Sequence, residues 1–441
     1  MSNSKLTDEE ESSVIYNRCF WYAFVANLLL VTANTMTYRF AEFVRHLGGT
    51  EEITGQLIAA GLIGSLIWRF FLGQAMDRYG IFAVWTVSTG LYLIGSLLMI
   101  FSDEVGPYIL VARVLLTIGI ASMFAVALSH VQGLAPPNRR TEIIATYGAA
   151  GFIGMITGAQ LGDLLFSLVP NGSVLYPILF TTTTVLGVGH GVLGAWMTHA
   201  SPPPPKTKSL PVHRLIRQYW PWRIVSVTFM MGLVLTVTTI FITRYASHLG
   251  FGGVRLFFSA YAITAFTTRI IARQWNRTQG RHRLIVYGLA SHALGILLLL
   301  QVHQEWQFAF PAICFGFGQA LTFPCVVSLG TSAFPEEYRG TGTTLCLAAI
   351  DFGTMVTAPA VGWMIDHHGF TPMLLVTATT VSVVTATYAV RNWKTVDGDM
   401  QASPASHRMV PEAIPAKPVA ATAARPTRRD MRSQPSMTKA G

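Results

Sequence analysis

Charged residues are scarce in this chain. Asp, Glu, Lys and Arg make up 12% of its 441 residues, whereas an ordinary soluble domain carries about 25%. Hydrophobic residues make up 51%, and they fall in runs of about 20, long enough to cross roughly 30 Å of hydrocarbon as helix. This composition excludes a soluble globular protein and predicts a polytopic α-helical membrane protein.

The residue patterns that catalysis or metal binding would need are also missing. No CxxC pair, histidine cluster, metal-ligand spacing or nucleophile arrangement appears, and there is no G-x-x-x-x-G-K-[ST] phosphate loop. We therefore expect no enzyme activity, no metal and no cofactor. The net charge of +10 is spread over short loops, which argues against a nucleic-acid partner. The cysteines, all inside apolar runs and giving no disulfide framework, are Cys19, Cys314, Cys325 and Cys346.

Twelve apolar runs are bounded by charges, glycine, proline or short polar loops, and each predicts a membrane-spanning helix. The chain begins with an acidic segment, the reverse of the basic start of a signal peptide, so we expect the first run to be retained. The predicted spans are 19–38, 55–75, 81–101, 107–128, 143–165, 175–197, 224–243, 254–272, 284–302, 307–329, 341–363 and 371–390.

Lys and Arg predict the orientation in the membrane. With the N-terminus in the cytoplasm, 18 of the basic residues before about residue 395 fall on the cytoplasmic side and 4 on the outer side. Basic loops favour the cytoplasmic side. We therefore predict a multi-pass protein of the plasma (inner) membrane with both termini in the cytoplasm.

The two halves of the chain resemble each other. At an offset of 200 residues, Arg69 aligns with Arg269 and Gly80 with Gly280, which indicates a duplicated unit. The predicted fold is an all-α membrane protein with 12 transmembrane helices in two pseudo-symmetric six-helix bundles. Its expected segments are a cytoplasmic N-terminal segment 1–18, an N-terminal bundle 19–198, a cytoplasmic central loop 199–223, a C-terminal bundle 224–392 and a disordered cytoplasmic tail 393–441.

The loop after the second span carries a compact charged motif, Gly73-Gln74-Ala75-Met76-Asp77-Arg78-Tyr79-Gly80. An acid and a base in a tight turn can pair with a neighbouring helix end and hold one closed state, although an ordinary structured turn would look the same. The motif resembles G-x-x-x-D-R-x-G of the major facilitator superfamily. Further motifs that are similar to this family are Arg113-x-Leu115-x-x-x-Gly119, Pro137-x-Arg139-Arg140, Pro335-x-x-x-Arg339-Gly340 and Gly362-x-x-x-Asp366-x-x-Gly369.

The resemblance covers about 18–392 and implies a secondary transporter with alternating access, gated by the motif loops. The second copy of the loop has Arg273 in place of the leading glycine and Asn276 in place of the acid. The charge pairing that holds the closed state should therefore be stronger in the first half. Antiporters of the family often carry Gly-Pro-x-x-Gly-Gly in helix 5, which this chain matches only in part with Gly158-Ala159-x-x-Gly162-Asp163. The predicted gating residues are Gly73, Asp77, Arg78, Gly80, Arg277, Gly280 and Arg339.

Ionisable side chains inside a span are costly, at roughly 3 kcal/mol or more unless they face protein or water, so each is a functional candidate. Asp351 lies about 15 Å into its span, near the middle of a bilayer about 30 Å thick. Such a carboxylate can exchange a proton as its surroundings open and close, or form a static pair with a basic residue. We predict proton coupling through Asp351, and we expect Arg69 and Arg269 to anchor helix ends at the headgroups or at neighbouring carbonyls.

Arg113 and His292 are further candidates for proton coupling. Arg113 lies about 9 Å into helix 4, and the resemblance implies that it lies in the proton or substrate path. Alternatively, it reaches toward Asp103 and Glu104 just outside the helix. His292 can titrate near neutral pH or make a neutral interhelical hydrogen bond.

In this superfamily, helices 1, 4, 7 and 10 line the central cavity. Carried onto this chain, the resemblance implies substrate contacts from the polar residues of those helices, although Asn and Thr also form ordinary interhelical hydrogen bonds. Asn27 and Asn34 are seven residues apart and share one helix face. The predicted substrate-binding residues are Asn27, Asn34, Arg113, Thr117, Thr236, Thr239, Gln319 and Thr322.

We predict a secondary active transporter of a small-molecule solute, coupled to protons, with export slightly favoured over uptake. An anionic solute would use Arg113, and a cationic or amphipathic one would use Asp351. The alternative is proton-coupled or facilitative uptake of a small metabolite, an organic anion or a sugar-like solute; a non-transporting membrane sensor on the same scaffold is a minor one. The expected partners are the solute, protons and the lipid bilayer, and the expected state is a monomer.

Overall fold

The computed structural model describes residues 16–134, 140–170, 172–199, 212–272, 275, 280–335 and 338–393. These residues form helices joined by short turns, in agreement with the predicted all-α fold. Among them, eleven helices are long and apolar enough to cross a membrane. The eighth predicted span forms a helix of 17 residues, Arg255–Ile271, which is slightly shorter.

We label the helices α1 to α12 after the twelve predicted spans. The first, α1, joins Arg18–Met36, a 3₁₀ turn at Thr37–Arg39 and Phe40–His46. The seventh, α7, joins a 3₁₀ turn at Trp222–Ile224, Val225–Leu235, a π-helical turn at Thr236–Phe241 and Ile242–His248. The others are α2 (Glu51–Leu72), α3 (Arg78–Ile100), α4 (Pro107–Gly133), α5 (Arg140–Leu168), α6 (Gly172–Thr198), α8 (Arg255–Ile271), α9 (Arg281–Leu299), α10 (Ala309–Ser332), α11 (Arg339–His368) and α12 (Phe370–Asn392).

The predicted duplication is visible in the backbone. Helices α2 and α3 run as one segment, Glu51–Ile100, which is kinked at Gly80 with φ 82°. At the offset of 200, Gly280 precedes α9 with φ 78°. A positive φ favours glycine because it has no Cβ. The same turn therefore recurs in the same place in each half.

The two halves, α1–α6 and α7–α12, meet along two helix pairs, α2 with α11 and α5 with α8. A Cβ on Gly55 would overlap the carbonyl of Ala358, and a Cβ on Gly362 would overlap the carbonyl of Glu51. Glycines thus allow α2 and α11 to approach closely. This close approach lies toward the end of the bundle that carries the α1–α2, α7–α8 and α11–α12 turns, which we call the latch end. The end that carries Gly80 and Gly280 is the hairpin end.

Candidate functional site

A cavity of about 350 Å³ lies between the two halves. Its lining comes from α1, α2, α4, α7 and α11, and no described residue of α10 contributes to it. Most of its surface is apolar, as is usual for small-molecule sites, with a few polar groups to fix orientation. The polar lining residues are Asn34, Thr37, Tyr38, Ser65, Arg69, Arg113, Thr117, Thr239, Asp351 and Thr354.

An ion pair in the cavity wall joins the two halves. Nη2 of Arg69 on α2 donates to Oδ2 of Asp351 on α11 at 2.8 Å. The two side chains are 12% and 26% exposed, so both are mostly withdrawn from solvent yet open to the cavity. The expectation that Arg69 anchors α2 at the headgroups was wrong, because its guanidinium turns inward to the carboxylate of the other half.

Arg113 lies in the cavity without an acidic partner among the described residues. Its Cζ lies 4.5 Å from the centre of the Phe40 ring. Its Nε and Nη1 are buried, and neither has a hydrogen-bond partner within the described part of the chain. A cation over an aromatic face gains some stabilisation, but buried N–H donors left unpaired are costly. The guanidinium is therefore poised to donate to an acceptor that enters the cavity.

Hydroxyl and amide groups line the same cavity. Thr117 donates to the Arg113 carbonyl at 2.8 Å, and Thr239 donates to the Leu235 carbonyl at 2.7 Å. Each hydroxyl proton is used within its own helix, so these oxygens face the cavity as acceptors. Thr239 also lies in the π-helical turn of α7, an irregularity that often marks functional sites. Asn34 supplies the amide, and its Nδ2 lies 3.5 Å from the Tyr38 hydroxyl.

Two predicted substrate contacts lie in helix contacts outside the cavity. Asn27 is buried and donates through Nδ2 to the Tyr147 carbonyl on α5 at 3.2 Å. Thr236 is buried between α7 and α11, where its hydroxyl lies 2.8 Å from that of Thr357. Asn27 shares its helix face with Asn34, but at its level that face is covered by α5.

Three further predicted residues belong to the C-terminal half away from the cavity. Thr322 on α10 contacts Gly288 of α9, and Gln319, which is partly buried on the same helix, lies outside the cavity lining. His292 on α9 is buried, with its ring centroid 6.1 Å from that of Phe315 on α10. The structure thus places His292 in a contact between α9 and α10, apart from Asp351.

The structure describes the predicted gating residues in part, and those that it describes lie at the hairpin end. Gly80 and Gly280 form the two positive-φ turns. Arg78 is exposed, and its Cζ lies 5.3 Å from the Tyr79 ring centre. Arg277 lies outside the described residues, as do the side chains of Asp77 and Arg339, and Gly73 is described only as part of the helical backbone.

At the latch end, each half caps a helix of the other. Oδ1 and Oδ2 of Asp366, at the end of α11, accept the backbone N–H groups of Glu51 and Glu52 at 3.1 and 2.6 Å. Oδ2 of Asp163, at the end of α5, accepts the backbone N–H of Arg255 at 2.7 Å. A carboxylate at a helix N-terminus is favoured by the unpaired N–H groups and by the helix dipole. The two caps hold the latch end together.

Ion pairs reinforce these caps. The Arg39 guanidinium binds both Glu42, at 2.8 Å, and Asp163. Arg244, at the end of α7, donates to Glu51 of the other half at 2.6 Å. We call the caps and these pairs the latch. The positions of Asp163 and Asp366 at outer helix ends are typical of gate or cap residues, but nothing local in the sequence indicates their partners.

The other contact between the halves lacks the ion pair. Arg269, which aligns with Arg69, lies on α8 with its Cζ 4.8 Å from the Phe152 ring centre on α5. At the offset of 200, the position of Asp351 is taken by Gly151. Arg69 thus has an acidic partner across the halves, and Arg269 has an aromatic one. Within the described residues, no cluster of His, Cys, Asp or Glu could hold a metal ion.

A duplicated helical bundle that encloses a largely apolar cavity, with an ion pair and an unpaired guanidinium in its wall, defines the class of membrane transporters built from two repeats about a central site. A family model described as the Major Facilitator Superfamily matches residues 20–345 and 224–436. The chain belongs to the major facilitator superfamily and is a multi-pass integral membrane transporter.

Known proteins similar to this chain include a staphylopine export protein of Staphylococcus aureus, 22% identical over 382 residues that cover 83% of this chain and 94% of that protein. An uncharacterised transporter of the same family from Pseudomonas aeruginosa is 27% identical over 193 residues, 42% of this chain and 46% of that one. Among solved structures, a nucleoside transporter superposes with a TM-score of 0.70 at 12% identity, covering 85% of this chain and 100% of that one. A D-xylose-proton symporter gives 0.67 at 14% identity, with coverages of 86% and 97%. At these identities, the solved structures show the shared fold.

Proposed function

We propose that this transporter couples solute movement to protons by alternating access, and that Asp351 is the proton carrier. The observation that carries the proposal is the Arg69–Asp351 pair, which lies in the cavity wall and joins the two halves. Ionisable groups at this depth are rare outside ion and substrate pathways.

Protonation of Asp351 would act directly on the movement of one half of the protein against the other. A neutral carboxyl no longer attracts Arg69 as an anion does, so the electrostatic link between α2 and α11 weakens. Arg69 is then free to bind another acceptor in the cavity. Proton occupancy thus changes both the contact between the halves and the charge presented to solute.

We propose that Arg113 binds the anionic group of the solute. The three charged lining residues, Arg69, Arg113 and Asp351, leave the cavity with one formal positive charge when Asp351 is ionised. Charge-assisted hydrogen bonds from a guanidinium to an oxyanion are among the strongest in proteins. Asn34, Thr117 and Thr239 would complete the polar surface around the bound group.

We propose export as the direction, with an amphoteric solute. Its anionic group would bind Arg113, and its cationic group would compete with the proton for Asp351, which is the requirement for proton exchange. The similarity to a protein named for staphylopine export supports export. The charge bias of the loops supports cytoplasmic termini in a plasma (inner) membrane and a latch end that faces outward, so that the described state is closed on the outside.

Transport in proteoliposomes tests the proton carrier. A thermal-shift screen at two pH values, over carboxylates, amino acids, nucleosides, sugars and amphipathic cations, first identifies a solute. Asp351→Asn should abolish transport driven by a pH gradient. Solute exchange without a gradient should persist but need a higher solute concentration, because the amide still accepts a hydrogen bond while the charge that attracts the cationic group is lost. Asp103→Asn, which removes an exposed loop carboxylate, is the matched control. Unchanged gradient-driven transport in Asp351→Asn would remove Asp351 from the mechanism.

Uptake of an organic anion together with a proton is the second candidate. The pairing of Asp351 with Arg69 in the cavity wall favours it. Asp351 and a purely anionic solute would both bind Arg69, so the solute would displace the carboxylate and favour its protonation. Proton and anion would then travel in the same direction. The sign of the proton exchange on solute binding, measured in weakly buffered detergent solution, separates the two: release indicates exchange, and uptake indicates symport.

A further inference from the structure

A groove of about 980 Å³ opens on the outside of the C-terminal half at the hairpin end. It lies between the beginning of α7 and the end of α12. Its walls include Val225, Phe229 and Met230 from α7 and Val384 and Thr387 from α12. This volume lies near the upper end of the range of about 300–1,000 Å³ for ligand pockets, so the groove can hold a substantial apolar group.

The equivalent position in the N-terminal half is filled. There, α1 packs along α6, with the Tyr22 and Trp196 ring centroids 4.6 Å apart. Deeper in the same contact, Nδ1 of His190 lies 2.9 Å from the Ala26 carbonyl. At the offset of 200, Tyr22 aligns with Trp222, which is 72% exposed and lines the open groove instead of packing against α12. The gap between α7 and α12 is therefore a local feature of one repeat.

Basic and aromatic side chains surround the mouth of the groove. Arg223 and Arg391 line it, and both are exposed. Trp393, one residue beyond α12, is 39% exposed and packs under Arg283, whose Cζ lies 5.5 Å from its ring centre. Among the described residues of this half, the acids Glu305, Asp351 and Asp366 all lie at the latch end or at membrane depth. Tryptophan together with Arg is typical of the level of the lipid headgroups.

We propose that this groove binds one anionic phospholipid. The phosphate would lie between Arg223 and Arg391, and an acyl chain would lie along Phe229 and Val384. Charge complementarity argues for an anionic lipid, since two exposed arginines at the membrane surface attract such headgroups. The apolar walls distinguish a lipid from a free phosphate ion, which would leave most of the groove empty.

Native mass spectrometry of the full chain in detergent, titrated with phosphatidylglycerol or with phosphatidylcholine, tests this proposal. The wild type should retain one phosphatidylglycerol and should bind phosphatidylcholine more weakly. Each basic residue near an anionic surface contributes roughly a fivefold factor. The double variant Arg223→Gln/Arg391→Gln should therefore lose about 30-fold in affinity for phosphatidylglycerol. The matched control, Arg214→Gln/Arg217→Gln, removes two exposed arginines from the short helix Val212–Tyr219 and should bind like the wild type.

A second variant tests the apolar part of the groove with both arginines intact. Thr387→Trp should fill the groove and reduce phosphatidylglycerol binding, while glycerol phosphate alone should not compete in the wild type. A melting temperature in phosphatidylcholine equal to that of the wild type would show that each variant is folded. Unchanged phosphatidylglycerol affinity in the arginine variant, equal affinity for both lipids, or competition by glycerol phosphate would overturn the proposal. A change in oligomeric mass in place of lipid loss would assign the groove to a second copy of the chain.

Discussion

The carboxylate of Asp366 caps the first turn of α2 at Glu51, whose backbone N–H it accepts at 3.1 Å. The residues belong to different halves, so the cap is made only while the latch end is closed. A helix N-terminus carries about half an elementary positive charge, and the cap pairs that charge with an acid from the other repeat. Asp163 makes the same kind of cap at Arg255.

Asp366→Asn should shift the transporter toward the state with an open latch end. The substitution keeps one acceptor oxygen and removes the charge, and a carboxylate at a helix start contributes about 1 kcal/mol, or roughly a fivefold change in population. Spin labels at Leu168 and His303, exposed positions at the latch end of the two halves, should report a larger share of long distances. Asp103→Asn should leave the distance distribution of the wild type.

Arg69→Met should destabilise the protein more than the double change Arg69→Met/Asp351→Asn. The single variant leaves a carboxylate at membrane depth without its partner, which costs about 1–3 kcal/mol. The double variant removes the unpaired charge and should recover most of the loss. Thermal unfolding in detergent measures both. If the double variant loses as much as the two single variants combined, the pair does not act as a unit.

Gly55→Ala should lower the melting temperature, whereas Gly90→Ala should leave it unchanged or raise it slightly. A Cβ at Gly55 overlaps the Ala358 carbonyl across the α2–α11 contact, and a Cβ at Gly90 meets open space. Alanine is a better helix former than glycine by about 1 kcal/mol, so only the crowded site should show a net loss. Equal effects at both positions would show that the close approach of α2 and α11 contributes little to stability.

Cysteine labelling tests the proposed orientation. In a variant that lacks the four native cysteines, Leu168→Cys at the latch end should react with a membrane-impermeant maleimide on intact cells. Arg78→Cys and Arg391→Cys, at the hairpin end of the two halves, should react only after the cells are opened. Labelling of Arg78→Cys and Arg391→Cys on opposite sides would contradict the arrangement of two bundles in the membrane.

Periodicity and charge were sufficient to predict the helices, and the loop motifs carried the resemblance to the family. Length and hydropathy determine whether a helix can cross the bilayer, and an offset of 200 residues reveals the repeat without structural information. Asp351 was singled out on depth alone, and the structure places it in the cavity wall.

Direction around a helix and pairing between helices could not be predicted. Residue counting gives height within the membrane, but the face that a side chain presents depends on which helices pack around it. Arg69 and Asp351 are separated by 282 positions, and nothing local in the sequence distinguishes Arg69 from Arg269. Asn27 and Thr236 likewise have the correct type and depth for solute contacts, but neighbouring helices cover them. Arg69 and Tyr38 line the cavity, and their place in it became apparent only from the structure.

Gly151 takes the position that matches Asp351, so the α2–α11 and α5–α8 contacts between the halves differ in charge. Under the proposed coupling, protonation of Asp351 would weaken the α2–α11 contact, while Arg269 at the α5–α8 contact lies against Phe152 and has no carboxylate in the equivalent place. The halves would therefore separate first at the α2–α11 contact and rotate about the α5–α8 contact. A duplicated ancestor with two identical contacts between its halves would have no such preferred hinge.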